Sequence, residues 1–365
     1  MHLLRNHVLR EVRQNFGSTL AILTFVLLVG NVFTKMIDLV LNRGVDPVAI
    51  AQLIGYSAPY LLVYTLPMAM LVAVLLAFGR LSADHELTAI RASGISLARV
   101  TRPVLLLALA LSVFTFYLND QLASKSHFKM RQVSSAIGLQ SPTAALEEGV
   151  FIKSFGDLVI FIHRIDGNEL RQIRIYQPQP KGPTRTIVAE RGRLIPVPDR
   201  SMIKLKLENG TTDEPDANNP GRFYKLKFGT YYLPLDLSGF KLKGNLEKKR
   251  KELTTRELWA QFVKIKRDGF VDNFLLTEIN EKIAMSLSVF VLTLLAIPLG
   301  IRAHRTEKSI GYAVALILGT VYWGSIIGAS ALARTGAVPP IAVIHLPNLI
   351  FSAAGFFLLR RMARS

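Results

Sequence analysis

Residues 283–301 have the sequence IAMSLSVFVLTLLAIPLGI, nineteen consecutive positions without a charged side chain. A helix needs about 20 apolar residues to cross the roughly 30 Å of hydrocarbon in a bilayer. This stretch therefore predicts a membrane-spanning helix. Half of the 365 residues of the chain are hydrophobic, which is more than one soluble core of this size would hold.

Five further apolar runs of comparable length accompany this one. They lie at residues 14–34, 47–79, 103–119, 309–333 and 335–359. Three spans thus precede, and three follow, a mixed segment of about 150 residues. We expect a membrane α-helical fold with six transmembrane helices at residues 1–120 and 272–365, and an inserted domain at residues 121–271.

Basic residues are distributed very unequally between the two sets of short loops. Lysine and arginine in such loops stay on the cytoplasmic side. One set of loops holds thirteen basic residues, whereas the other holds only Arg43 and Arg334. We therefore expect a multi-pass membrane protein with both termini in the cytoplasm and the inserted domain on the far side of the membrane, which in a bacterium is the periplasm. The first run ends in VGNV without a small-residue cleavage site, which predicts a retained helix.

The inserted segment has the alternating pattern of β-strands separated by turn residues. Strands are predicted at residues 150–155, 158–163, 172–176, 185–191, 202–208 and 223–228, with loops at 178–183 and 213–220. Many short strands without helices predict an all-β antiparallel sandwich or jelly roll. A capping signal at Thr254 and Glu257 then predicts a return helix that ends at Asp268.

The inserted segment is also strongly basic. Of the net charge of +18, about +11 falls in residues 121–271. An anionic lipid or glycolipid is a better partner than nucleic acid for a domain joined to membrane helices, and a solvated basic face is the alternative.

No catalytic or metal-binding pattern is present. The dipeptide Gly-Lys of a nucleotide-binding loop occurs nowhere, so ATP hydrolysis would belong to a separate chain. His85 and Glu86 begin a zinc-protease pattern, but position 89 is alanine instead of the second ligand. We expect no cofactor, no metal and no catalytic residue.

A short amphipathic helix is predicted between spans two and three, at about residues 82–94. Leu87 and Ile90 fall on one face, Glu86 and Arg91 are polar, and Gly94 suits a helix C-cap. The helix either lies in the lipid interface or docks into a cleft of an ATPase. In the second case a desolvated Glu86 could pair with an arginine of the partner, as a coupling helix.

Two lysines near the ends of predicted spans are candidate substrate contacts. Lys35 lies near the end of span one and can pair with Asp38 at i, i+3, or meet the phosphates of an amphiphile. Lys282 begins span four beside Glu278 and Glu281, where an i, i+4 ion pair is the alternative to a ligand site.

With these elements placed, the chain resembles the LptF/LptG permease family nearly from end to end. The resemblance lies in residues 86–94 (ELTAIRASG), 188–192 (VAERG), 207–210 (LENG), 297–302 (IPLGIR) and 346–348 (LPN). It implies a periplasmic jelly roll, a heterodimer with a second permease paralogue, a dimeric cytoplasmic ATPase and periplasmic bridge proteins of similar fold.

The resemblance also implies a function and two residue roles. The chain would be a transport subunit that extracts lipopolysaccharide from the inner membrane and passes it to the bridge. Glu86 would be the coupling carboxylate, and Lys35 would lie near the lipid phosphates. The sequence around Lys35 and Asp38 favours the LptG branch. A homodimer, a permease of another ABC-type lipid or lipoprotein exporter, and a non-transport scaffold are the alternatives.

Overall fold

The computed structural model describes residues 2–30, 46–140, 148–155, 158–166, 169–178, 184–196, 202–215, 223–236, 248–268, 272–302 and 308–364. The chain divides into two compact units. The first comprises Met1–Val32, Tyr56–Phe128 and Lys248–Ser365 and is helical; the second comprises Phe33–Gly55 and Lys129–Glu247 and contains a β-sheet.

Nine helices are defined in the described part of the chain. They are α1 (His2–Leu28), α2 (Pro47–Ala83), α3 (Glu86–Ala92), α4 (Leu97–Tyr117), α5 (Ser124–Gln140), α6 (Thr255–Arg267), α7 (Asn273–Arg302), α8 (Lys308–Thr335) and α9 (Pro340–Arg364). A π-helical segment, Leu118–Ala123, connects α4 to α5.

Five helical segments in the described ranges are long and apolar enough to span a membrane. They are Pro47–Ala83, Leu97–Ser134, Asn273–Arg302, Gly311–Thr335 and Pro340–Met362. They match five of the six predicted spans. The first predicted span extends past α1 into residues 31–45, which lie outside the described residues, so the number six stays a prediction.

Small residues let α7 approach its neighbours closely. A Cβ atom on Gly300 of α7 would lie 3.0 Å from the backbone oxygen of Leu75 in α2, and one on Gly355 of α9 would lie 2.9 Å from the Leu294 backbone. Glycine at such contacts allows helix backbones to pack tightly in a membrane. The two glycines therefore set α7 against both α2 and α9.

A buried polar network joins the last three helices. The hydroxyl of Tyr322 donates to Asn348 Oδ1 at 2.6 Å, and Asn348 Nδ2 donates to the Ala284 carbonyl at 3.1 Å. Buried polar groups need such partners because no water replaces them. Asn348 belongs to the LPN sequence at 346–348, so the structure gives that motif a role in helix packing.

The second unit is built on one antiparallel sheet whose six strands are ordered as in the sequence. The strands are β1 (Phe151–Phe155), β2 (Leu158–Asp166), β3 (Glu169–Gln177), β4 (Arg185–Pro196), β5 (Met202–Pro215) and β6 (Phe223–Asp236). All six predicted strands are thereby confirmed. The sequential order is that of a meander, and the jelly-roll arrangement stays a prediction.

A crease crosses the sheet along one row of residues: His163, Gln172, Glu190, Asn209 and Gly229. The strand pairing keeps the same register on both sides of this row, but the residues of the row are themselves unpaired. Gln172 and Asn209 adopt the left-handed backbone conformation, with φ of 51° and 52°. The strands therefore change direction at the crease without the insertion of an extra residue.

The burial pattern changes phase at the crease. In β4, for example, Ile187 and Ala189 are buried on one side of it, and Gly192 and Leu194 on the other. Buried residues from both sides form one cluster, so the sheet folds over a single apolar inner face. This inner face consists of Ile152, Leu158, Ile160, Ile162, Leu170, Ile173, Ile175, Ile187, Ala189, Leu194, Leu205, Leu207, Leu233 and Leu235.

Several boundaries predicted from the sequence were wrong. The strands β2, β4, β5 and β6 continue past residues 163, 191, 208 and 228, where the predicted strands ended, and β3 begins before residue 172. The loop predicted at residues 213–220 begins too early, because Asp213–Pro215 are the end of β5. The segment predicted at 82–94 starts too early, because Ser82 and Ala83 end α2. The return helix α6 begins as predicted, since Thr254 and Glu257 form a reciprocal capping box.

Substituting Gly210 by alanine should destabilise the sheet. A Cβ atom there would lie 2.5 Å from the Val188 carbonyl oxygen, which belongs to the neighbouring backbone and cannot move aside. We expect the free energy of unfolding to fall by about 1–3 kcal/mol, as for other overpacked sites. Denaturant titration of the purified chain, followed by limited proteolysis of the sheet, measures the change.

Gly229→Ala is the matched control, because Gly229 lies on the crease and a Cβ atom there would meet no atom within 4 Å. It should change stability by less than about 0.5 kcal/mol. Equal effects of the two substitutions would contradict the close approach at Gly210.

Candidate functional site

The segment that follows α2 forms the helix α3, which ends in a Schellman motif. Gly94 has a φ of 77°, its N–H donates to the Arg91 carbonyl at 2.9 Å, and the Ile95 N–H donates to Ile90 at 3.3 Å. Only glycine adopts this backbone conformation without strain. The C-cap residue is Ser93, one position before the predicted Gly94, and Gly94 supplies the left-handed residue that follows it and makes the turn from α3 towards α4.

The apolar face of α3 is buried in the protein. Leu87 is only 4% exposed within the helical core, and Ile90 packs against the same core. The face that carries Arg91 is exposed, and Arg91 forms no ion pair with any residue that the structure describes. This arrangement leaves a polar surface available to a partner, whereas a helix lying in the lipid interface would turn its apolar face outward.

Glu86 contacts α1, a partner that the sequence did not indicate. Its carboxylate lies 3.1 Å from His7 Nε2, and its side chain is 34% exposed. Beside this contact, Arg80 of α2 pairs with Glu11 of α1 at 2.7 Å and with Asp84 at 3.4 Å. The start of α1 is thus held against the end of α2 and α3, and Glu86 stands at the edge of this cluster.

Lys282 lies in a buried site. Its ammonium donates to Ser124 Oγ at 2.8 Å and to the Leu253 carbonyl at 2.6 Å, and lies 3.6 Å from Asp120 Oδ1. The side chains of Lys282 and Asp120 are 7% and 11% exposed. The predicted i, i+4 pairing with Glu278 is replaced by contacts with the π-helical segment, with the first residue of α5 and with the chain before α6.

Asp120 completes the network from the π-helical segment. It accepts the backbone N–H of Thr255 at 2.5 Å and the side-chain amide of Gln121 at 2.9 Å. The network therefore joins the chain before the sheet, the chain after the sheet and the first part of α7. Sequence analysis missed Asp120, although a carboxylate directly after an apolar run was a signal that could have been followed.

The remaining sequence candidates are placed as follows. Lys35 and Asp38 lie outside the described residues, so their contacts stay predictions. Glu281 lies 3.5 Å from Arg334. No group of three or more histidine, aspartate or glutamate side chains that could hold a metal occurs in the described ranges.

Removing the buried lysine should destabilise the helical unit. Lys282→Met leaves Asp120 buried without its counter-ion, which costs about 3–5 kcal/mol in comparable sites. Adding Asp120→Asn removes the uncompensated charge and keeps an acceptor for the Thr255 N–H, so the double variant should regain part of the loss. Thermal unfolding of the three purified proteins in detergent measures these differences.

Lys264→Met serves as the control, since Lys264 is exposed on α6. It should leave the unfolding temperature unchanged. An equally stable Lys282→Met protein that no longer binds lipid would contradict the structural role and favour the substrate contact predicted from the sequence.

Comparison with known proteins agrees with this architecture. The family model "Lipopolysaccharide export system permease LptF/LptG" matches residues 6–361 of the chain. The match spans the helical unit and the sheet.

Individual relatives are distant but cover most of the chain. The Lipopolysaccharide export system permease protein LptF of Escherichia coli (strain K12) is 24% identical over 354 residues, which are 95% of this chain and 92% of the relative. The LptF protein of Shigella flexneri shows the same values. An uncharacterised protein of Rickettsia prowazekii (strain Madrid E) is 23% identical over 73% of this chain and 74% of its own length.

The relatives from Escherichia coli and Shigella flexneri are named LptF, whereas the sequence around Lys35 favoured LptG. The family model covers both branches. On the family model's match over nearly the whole length, the chain belongs to the LptF/LptG family of lipopolysaccharide export system permeases.

Proposed function

We propose that this chain is a permease subunit of the ABC transporter that extracts lipopolysaccharide from the bacterial inner membrane and passes it to a periplasmic bridge. The observation that carries the proposal is the family match over residues 6–361, which includes both the apolar helices and the sheet. The relatives named LptF have the same extent. In this proposal the chain transports, and a partner hydrolyses ATP.

The orientation in the membrane follows from the loop charges. Thirteen basic residues in one set of short loops against two in the other favour cytoplasmic termini. The inserted segment at residues 121–271 is then periplasmic, and α3 faces the cytoplasm. The Asp120 network lies at the boundary between residues 1–120 and this segment, which supports the division proposed from the sequence.

The folded-over sheet is the proposed carrier of the lipid chains. Its inner face is lined by leucine and isoleucine from both sides of the crease, which suits acyl chains that must be kept from water. In the family this sheet would be a jelly roll that continues into bridge proteins of similar fold. A second permease paralogue is the proposed partner of this chain in a heterodimer.

Lys35 is the proposed contact to the phosphates of the substrate. A lysine near the end of a span costs less than one at its centre, so a modest compensating contact is enough to retain it. Asp38 could supply that contact within the chain. Exchanging the two residues would preserve transport if Lys35 only pairs with Asp38, and would abolish it if Lys35 contacts phosphate.

A cytoplasmic ATPase dimer is the proposed partner of α3. The burial of Leu87, the Schellman end at Gly94 and the exposed Arg91 give this helix a fixed position and a polar outer surface. A desolvated Glu86 could pair there with an arginine of the ATPase. A permease of another ABC-type exporter would use the same helix, whereas a scaffold would have no use for it.

The substitution Glu86→Gln tests this function. If Glu86 pairs with the ATPase in a desolvated cleft, its loss costs about 3–5 kcal/mol, which corresponds to at least about 100-fold weaker association. The variant should still reach the membrane, because Glu86 is one-third exposed and belongs to no buried pair. Co-purification of the ATPase and its stimulated activity are the measurements.

His7→Gln is the matched control, because His7 is the partner of Glu86 within the chain. If Glu86 only anchors α3 to α1, the two variants should behave alike. ATPase binding that survives both substitutions, or is lost equally in both, would contradict the coupling role.

A further inference from the structure

The outer face of the sheet carries a ladder of three arginines beside the crease. Arg164 of β2 lies directly opposite Arg171 of β3, which lies directly opposite Arg191 of β4. Directly opposed residues of an antiparallel pair point to the same face, about 5 Å apart. All three side chains are exposed, and the inner-face residue Leu170 next to Arg171 is fully buried, so the ladder faces outward.

Like charges directly opposite each other destabilise a sheet. The ladder has little internal compensation, since the one carboxylate of Asp166 serves both Arg164 and Arg171, each at 3.0 Å. Arg191 forms no ion pair with any residue in the described ranges. Its cross-strand neighbour Glu208 is engaged by Lys206 at 2.5 Å instead. The ladder therefore presents a concentrated and only partly neutralised positive charge.

The surroundings hold three further cations, Arg193, Lys204 and Lys206, and two carboxylates, Glu169 and Glu208, so they do not neutralise the ladder. In the next row Glu169 is engaged by Arg193, and beyond that row Lys204 is exposed without an ion pair among the described residues. Guanidinium groups bind phosphate oxygens through paired N–H donors, so the three arginines of the ladder are suited to phosphate groups.

The segments that flank the sheet in the sequence favour one kind of partner for this face. Both ends of the sheet-bearing segment continue into helical segments of the unit that holds the apolar spans. The sheet is therefore tethered by the chain itself to the unit that spans the bilayer, which raises the effective concentration of a bilayer surface. A soluble anion would have to be supplied separately.

We propose that the arginine ladder Arg164–Arg171–Arg191 is a docking surface for the phosphodiester headgroups of anionic phospholipids in the adjacent leaflet. The ladder holds the outer face of the sheet on the bilayer surface and leaves the inner face directed away from the headgroups. This contact does not depend on the identity of the transported substrate or on the ATPase.

Fluorescence energy transfer to the bilayer tests this docking. The chain has no cysteine, so Thr230→Cys places one donor dye on the exposed end of the ladder's row, opposite Glu208. The full-length protein is reconstituted in nanodiscs of phosphatidylcholine, alone or mixed with phosphatidylglycerol, with an acceptor on the lipid headgroups. Transfer should be higher with phosphatidylglycerol and should fall at high salt, because the charges are screened.

The substitution Arg191→Gln should lower the ratio of docked to free sheet roughly fivefold in the anionic nanodiscs, the effect of one basic residue at an anionic surface. Lys225→Gln is the matched control, since Lys225 is exposed on the other side of the crease and the charge change is the same. It should leave the transfer unchanged.

Three outcomes would overturn the proposal. Equal transfer in neutral and anionic nanodiscs would exclude a phosphodiester surface as the partner. Equal losses for Arg191→Gln and Lys225→Gln would show a diffuse charge effect without a ladder. Transfer that rises only when lipopolysaccharide is added to neutral nanodiscs would assign the face to the glycolipid instead.

Discussion

A lysine ammonium held away from water fixes the points where the chain leaves and re-enters the helical unit. Lys282 near the start of α7 is bound by Asp120 and Ser124, which precede the sheet in the sequence, and by the Leu253 carbonyl, which follows it. A buried ion pair is weak evidence for stability, because desolvation offsets much of the attraction. Its value here is geometric, since the Lys282 ammonium, the Asp120 carboxylate and the Thr255 N–H each find a partner in this arrangement.

This anchoring joins, within the helical unit, the two parts of the chain that flank the sheet in the sequence. The Thr255 N–H bonded to Asp120 lies in the first turn of α6, next to the capping box of Thr254 and Glu257. A movement of α7 would therefore act on residues of the helical unit that precede and follow the sheet in the sequence.

The sheet could be predicted from the sequence as far as its crease and no further. The predicted strands ended at residues 163, 191, 208 and 228, or began at 172, each at or next to the crease. A left-handed residue such as Gln172 or Asn209 shifts the alternation of buried and exposed positions by one. A search for strict alternation stops there, although the pairing continues in the same register on the other side.

The candidate site was predictable where it depended on local geometry. The apolar face with Leu87 and the left-handed turn at Gly94 follow from helical spacing and from the backbone freedom of glycine. The contact of Glu86 with His7 spans 79 positions and has no local signal. Lys282 was recognised as unusual, but its partner Asp120 is brought to it only by the packing of two helices and a π-helical segment.

Site-specific photocrosslinking tests the central claim, that the inner face of the folded sheet carries lipopolysaccharide in a reaction driven by ATP. A photoreactive phenylalanine analogue replaces Phe228, which packs against the inner face, or Phe161, which lies on the outer face beside Phe151. With the ATPase and second permease reconstituted in vesicles, the account predicts a lipopolysaccharide adduct at position 228 that requires ATP and is absent at position 161. Equal adducts at both positions, or an adduct at 228 that does not depend on ATP, would contradict it.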